Sequence, residues 1–162
     1  MKFVFSLLLL GALLFIPKTV FSVTYKEPPT QIIIPSLKLS LPVHTAKVLF
    51  NTWEVHLDGA SFGDGTTIPG NKGNTVIFSH ARIGLFGDLT SVKKGDLVHV
   101  LTGKDWFVYR IYDTFVVDPR RIDILEGSDK YELTLYTCTG TNWSQRFIVK
   151  ASLLSNPSRL EK

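Results

Sequence analysis

Leu133-Thr134-Leu135-Tyr136-Thr137-Cys138 is rich in β-branched, aromatic and leucine side chains and ends on the single cysteine of the chain. That composition predicts a strand over 132–138. Its two-residue period puts Leu133, Leu135 and Thr137 on one face and Thr134, Tyr136 and Cys138 on the other. A second run, Arg146-Phe147-Ile148-Val149-Lys150-Ala151, has the same character. Residues 139–145 connect the two, and Gly140 and Asn142 suit a turn there. Paired as a hairpin, the strands bring Arg146 close to Cys138. A guanidinium beside a thiol favours the thiolate and can donate hydrogen bonds to a developing oxyanion. A solvated charge at a strand end fits the same pattern equally well.

One cysteine forms no intrachain disulfide and no thiolate-rich metal site. It is a core thiol, an intermolecular bridge or a nucleophile, and free cysteines are most often core residues. A nucleophilic thiol needs a base or a cationic partner, usually histidine. Four histidines are available. His99, in Leu97-Val98-His99-Val100-Leu101, takes an outward strand position. His44 follows Pro42-Val43 near a strand end, and His56 neighbours Trp53 and Glu54. His80 differs from these three. It closes the apolar run Thr75-Val76-Ile77-Phe78-Ser79 after the turn-rich segment Pro69-Gly70-Asn71-Lys72-Gly73-Asn74. A rigid strand therefore holds it at an edge where it can face a cleft. Each histidine taken alone reads more readily as structural; taken with Cys138 and Arg146, His80 is the best candidate.

Predicted strands fall near 31–41, 43–49, 74–79, 96–102, 105–118, 131–138 and 146–154, with short helical turns at 46–54, 86–92 and 121–126. Asp64-Gly65, Asn71-Lys72-Gly73, Lys94-Gly95-Asp96 and Thr102-Gly103-Lys104-Asp105 separate them. Seven or eight short strands with few helices predict an all-β closed barrel or sandwich.

Thr134-Leu135-Tyr136-Thr137-Cys138 matches the T-L-x-T-C signature of sortases, the cysteine transpeptidases of bacterial cell surfaces. Other elements resemble that family in order along the chain. Ile32-Ile33-Ile34-Pro35-Ser36-Leu37-Lys38-Leu39-Ser40-Leu41-Pro42-Val43 is similar to its opening strands, and Gly59-Ala60 with Ile68-Pro69-Gly70 to the segment that follows. Gly73-Asn74-Thr75-Val76-Ile77-Phe78-Ser79-His80 resembles its histidine strand. Phe86-Gly87-Asp88-Leu89, Lys94-Gly95-Asp96 and Asp118-Pro119 continue the series, and Arg146 matches its arginine. The match covers roughly residues 30–154. Ser79 departs from it where many relatives carry glycine. The connection from Cys138 to Arg146 is short, as in the class D and E groups.

The resemblance implies a closed eight-stranded β-barrel with a few short helices. It also implies a catalytic set of His80, Cys138 and Arg146, with Thr137 as a further substrate contact. The implied partners are an LPxTG-like sorting-signal peptide and an amine acceptor, either a lipid-linked cell-wall precursor or a pilin lysine. Neither a cofactor nor a metal is expected, since the acidic residues are scattered without a loop of calcium-ligand spacing. Two other readings use the same residues: a cysteine protease with water as acceptor, and a non-catalytic barrel with an inert thiol.

Charge and the N-terminus set the compartment. The chain has a net charge of +4. Past residue 22 it is only about +2, because Lys2 and Lys18 lie before that point and all the acidic residues after it. No basic stripe interleaved with aromatics suggests nucleic acid. Lys2 precedes an apolar stretch from Phe3 to Ile16, and Val20-Phe21-Ser22 offers a small-residue cleavage site. That stretch of 14 residues, interrupted by Ser6 and Gly11, is short for a span of ~17–25 residues. Residues 1–23 therefore read as a signal peptide, while the resemblance implies an uncleaved membrane anchor. Both export the domain. Residues 24–31 read as a linker, 32–156 as the catalytic domain and 157–162 as a tail.

Overall fold

A computed structural model describes residues 25–155. The readings for 1–23 and 157–162 fall outside those residues. Among the described residues there are ten strands: β1 (Gln31–Ile34), β2 (Leu39–Ala46), β3 (Val48–Leu49), β4 (Thr52–Trp53), β5 (Ala60–Gly63), β6 (Gly73–Phe78), β7 (Leu97–Leu101), β8 (Trp106–Val117), β9 (Tyr131–Thr139) and β10 (Gln145–Ser155). Eight of them close a barrel in the order β1-β2-β5-β6-β9-β10-β8-β7, and β3 and β4 form a separate ribbon. The expected closed eight-stranded barrel is what the chain forms. Closure leaves no unpaired sheet edge in the barrel wall.

The inward positions of every strand supply the core, including Ile32, Phe62, Ile77, Val100, Phe107, Leu133, Leu135 and Val149. Each such side chain stabilises by about 1.5–3 kcal/mol relative to exposure. β6 is buried along its whole length, and β9 nearly so. Their outer faces are covered as well. Val76, Phe78 and Ala46 pack there with Trp53 of the ribbon, Tyr136 and Leu125. The two strands that end at His80 and Cys138 are therefore held from both sides.

Three sequence expectations need correction. The strand expected at 31–41 is two strands joined by a tight hairpin, with Ile34 registered against Leu39. Pro35 opens a 3-10 turn over Pro35–Leu37, and Lys38 takes a left-handed conformation at φ 52° that ends it. The helical turn expected at 46–54 is instead the β3–β4 ribbon. Phe50 and Asn51 both have positive φ, 49° and 62°, in the two-residue turn. That is the type I′ geometry that matches strand twist. Val48, Thr52 and Trp53 are residues suited to strands. β5 was not expected, because Ala-Ser-Phe-Gly lacks strand character. Its Gly63 lies under the Trp53 ring, where a β-carbon would approach to 2.8 Å. The 3-10 turns at Phe86–Ser91 and Ile122–Leu125 lie within the expected spans. Among the described residues no helix is long and apolar enough to cross a membrane.

Residues 25–30 lie against the barrel. Tyr25 packs edge-on to Phe107 at 4.8 Å, and its backbone N–H donates to Asn71 Oδ1 at 2.9 Å.

Tyr109 makes the core sensitive to alkali. Its hydroxyl accepts from the Gly70 N–H at 3.1 Å, and the residue is buried. Burial pushes its phenol up to about 12, against the opposing pull of hydrogen bonds with Gly70 and Thr75. The folded pKa exceeds the unfolded value near 10. Stability is therefore full below pH 10 and is lost as pH rises toward 12, by roughly 1.4 kcal/mol per unit. Melting temperatures taken from pH 9 to 12 should fall above pH 10, and less steeply in Tyr109→Phe. An equally steep fall in that variant would refute the assignment.

Candidate active site

The registers of three neighbouring strands assemble the predicted residues. β9 and β10 are antiparallel, with Cys138 directly opposite Arg146. β6 and β9 are parallel, with Phe78 opposite Tyr136. His80, two residues past Phe78, is therefore level with Cys138, two past Tyr136. All three side chains share the outer face of the barrel wall, as the two-residue period required. They line one cleft of about 820 Å³.

The chain beyond β6 is tied down where it turns. Ser79 donates from its hydroxyl to Gly59 O at 2.8 Å, and Thr137 Oγ1 donates to Ser79 O at 2.9 Å. The His80 carbonyl then accepts from the N–H groups of Arg82 and Phe86, at 2.9 and 3.1 Å. Arg82 Nη2 donates to Leu57 O at 3.0 Å. These bonds fix the backbone and leave the imidazole unengaged: His80 Nε2 is buried without a hydrogen-bond partner among the described residues. A shielded polar atom without a partner is rare and calls for an explanation; the other one among the described residues is His44 Nε2, outside the cleft. The serine that departs from the family pattern thus anchors the histidine turn to the β4–β5 connection.

Thr137 lines the floor of the cleft but is only 1% exposed, and its hydroxyl is committed to Ser79 O. Its direct effect is on the path into His80. Cys138 is half-buried and unpaired. Arg146 donates from Nη1 to Trp143 O and Gln145 O, both at 3.0 Å. The guanidinium braces the connection between β9 and β10. Gly140 and Asn142 turn that connection with φ of 75° and 55°, as their identities suggested, but Trp143 also adopts a positive φ of 59°. Nothing in a tryptophan announces that conformation.

The walls come from segments distant in sequence. Val48, Trp53 and Val55 face Val117, Asp118, Pro119, Ile122 and Leu125 across the groove. Its floor is an aromatic stack. Trp53 lies on Phe78 at 5.7 Å, and Phe78 lies on Tyr136 at 4.9 Å. Phe78 and Tyr136 each precede a candidate residue by two positions, so period two could have found them; Trp53 carried no such signal. Burial raises the Tyr136 phenol well above its usual range. The Arg146 cation opposes that rise, and Cys138 adds to it. At the rim, the Arg120 guanidinium and then the Arg120 backbone N–H hold the Asp118 carboxyl down at about 2.

The other histidines lie elsewhere. His44 and His56 pack ring to ring at 4.9 Å, near Asp58 and Glu54 respectively. His99 accepts from Trp106 Nε1 at 3.0 Å on β7. Among the described residues no group of three His, Cys, Asp or Glu is placed to hold a metal.

The fold and the site together define an eight-stranded all-β barrel whose wall sets a thiol opposite a guanidinium, in one groove with an imidazole. The sortase domain family matches residues 32–154, and the chain belongs to the sortase family. It is 30% identical over 142 residues to a sortase A of Bacillus anthracis, covering 85% of this chain and 65% of that protein. It is 31% identical over 134 residues to a sortase A of Streptococcus agalactiae, covering 75% of this chain and 51% of that one. It thus spans one-half to two-thirds of the length of those relatives. Among solved structures, the Clostridium perfringens sortase D5 transpeptidase superposes with a TM-score of 0.68 at 26% identity, over 80% of this chain and 82% of that one. The Listeria monocytogenes sortase A gives 0.68 at 25% identity, over 81% and 90%. The barrel is common to both classes.

Proposed function

We propose that this protein is a cysteine transpeptidase that cleaves an LPxTG-like sorting signal and transfers the acyl part to an amine. The observation that carries the reading is the register of β6, β9 and β10, which gathers His80, Cys138 and Arg146 in one groove. Cys138 attacks as thiolate at the Thr–Gly carbonyl of the signal. The carbon–sulfur bond forms, and the tetrahedral oxyanion accepts hydrogen bonds from Arg146 and a backbone N–H beside Cys138. Collapse breaks the carbon–nitrogen bond, and His80 protonates the leaving amine. An incoming amine then attacks the thioester and gives its proton to His80. The thiolate leaves and the enzyme is restored. Thr137 acts on the groove floor, chiefly by holding the turn that carries His80.

The apolar groove between the ribbon and the 118–126 segment suits an extended, largely uncharged peptide. The acceptor is a lipid-linked cell-wall precursor or a pilin lysine. The domain works outside the cytoplasm, tethered through residues 1–23, and needs no cofactor. Family membership and the short connection before Arg146 support these assignments.

Intact-mass analysis tests the reading. The full chain in detergent, incubated with a panel of sorting-signal peptides, should gain a thioester adduct that maps to Cys138 and disappears as a ligated product when an amine is added. Release only as free acid would make it a hydrolase. No adduct with any peptide, and a thiol that resists alkylation in the folded state, would make it a binding domain.

A further inference from the structure

Behind one wall of the cleft lies a buried polar cluster that the chemistry above leaves unused. Asn74 of β6 is registered against Glu132 of β9, and Lys150 of β10 against Thr134 of β9. All four side chains project from the outer face of the barrel. The Lys150 and Glu132 side chains form an ion pair and are only 13% and 10% exposed. Burying a charge pair is costly, and a well-packed apolar pair is often no less stable. The pair's remaining hydrogen-bond capacity goes to a particular target. Lys150 Nζ donates to Ile124 O at 2.8 Å, and Asn74 Nδ2 donates to Glu126 O at 3.2 Å. Thr134 Oγ1 donates to Asn74 Oδ1 at 2.7 Å, which orients the amide so that its NH₂ faces the carbonyls.

Those carbonyls flank Leu125. Its side chain packs on the Phe78 cluster, and both lie along the groove. The other backbone hydrogen bonds of 118–126 are local, from Arg121 to Asp118, Ile122 to Arg120 and Glu126 to Asp123. A segment folded only on itself can move as a unit against the barrel. The two donors stop that movement at the wall of the cleft.

We propose that Asn74 and Lys150 are positioning residues for peptide recognition. They clamp the 118–126 wall to the barrel and set the width of the groove. Glu132 neutralises the clamp and Thr134 aims it. This role rests on the reading that the cleft takes a peptide; the clamp itself does not.

The test uses the full chain in detergent with three variants. Lys150→Met combined with Glu132→Gln removes the Lys150 half of the clamp without stranding a charge. Lys150→Arg keeps a cationic donor. Asn74→Asp keeps the acceptor for Thr134 and loses the donated bonds, and it serves if the double variant fails to melt cooperatively. Amide hydrogen exchange at 119–127, without peptide, should quicken about ten-fold in the double variant, the effect expected of one lost charge-assisted bond, and by about as much in Asn74→Asp, which loses a neutral bond and sets a carboxylate against the same carbonyls. Exchange in β6, β9 and β10 should stay unchanged. KM for the sorting peptide should rise about ten-fold, with kcat and the rate of Cys138 alkylation by iodoacetamide held. Lys150→Arg should restore both exchange and KM.

Unchanged exchange at 119–127 overturns the clamp. Faster exchange with an unchanged KM overturns its role in recognition. A fall in kcat and alkylation alongside the rise in KM shows general distortion and also overturns it. No turnover by the unaltered chain defeats the proposed function and this role with it, while the exchange data still decide the clamp.

Discussion

Cys138→Ala should leave no acyl adduct and no ligated product with any sorting peptide. The residue is the only cysteine in the chain, so no second thiol can substitute. Without the thiol the proposed reaction loses the nucleophile that forms its thioester, and neither His80 nor Arg146 carries a sulfur to replace it. The loss should be total within detection, as read by mass spectrometry of enzyme and peptide products. Stability should change little. Cys138 is half-buried, stands near the end of β9 and makes no disulfide, so truncation removes one sulfur without opening a core cavity. The melting temperature should stay within a few degrees of that of the unaltered chain. Turnover by a folded Cys138→Ala variant would end the thioester mechanism outright.

His80→Ala should lower turnover by about 10²–10⁴-fold, the usual contribution of a general acid–base group. The geometry makes this substitution a clean one. The hydrogen bonds at His80 fall on its backbone carbonyl, from Arg82 and Phe86, and survive loss of the ring. Ser79 and Thr137 hold the preceding residue through Gly59 O and Ser79 O, also independently of the imidazole. A loss of rate with an unchanged melting temperature would therefore report chemistry. Near-normal transfer by His80→Ala would refute the assignment of the acid.

Much of the site could be read from the chain itself. Period two on 132–138 put Tyr136 and Cys138 on one face, and the observed strand keeps them there against the aromatic stack. An apolar run ending in a histidine gave β6 and its edge position. Turn residues between two strands foretold the hairpin that carries Arg146. These are local signals, since strand alternation and turn conformations depend on a few adjacent residues.

What failed was non-local in cause. Residues 46–54 contain apolar positions at helical spacing, yet they pair as a ribbon because Trp53 gains more by stacking on Phe78 than the segment gains from a helical turn. Ala60–Gly63 has no strand propensity of its own. It pairs because β2 and β6 need a strand between them to close the wall. Tertiary context overrides weak propensity at both places.

The sequence by itself determined the class of fold, the compartment signals and the identities of the three candidate residues, because composition and periodicity are properties of short stretches. The hairpin already set Cys138 opposite Arg146, but only the parallel pairing of β6 with β9 decided that His80, two residues past Phe78, stands level with them, since register is set jointly by neighbouring strands. Only the tertiary structure revealed the ribbon that roofs the groove, the hydroxyl bonds that fix the histidine turn and the Asn74–Lys150 clamp. The hydroxyl bonds and the clamp join residues 20 to 58 positions apart, and the ribbon takes its place by packing Trp53 on Phe78; such contacts exist only once the chain has closed on itself.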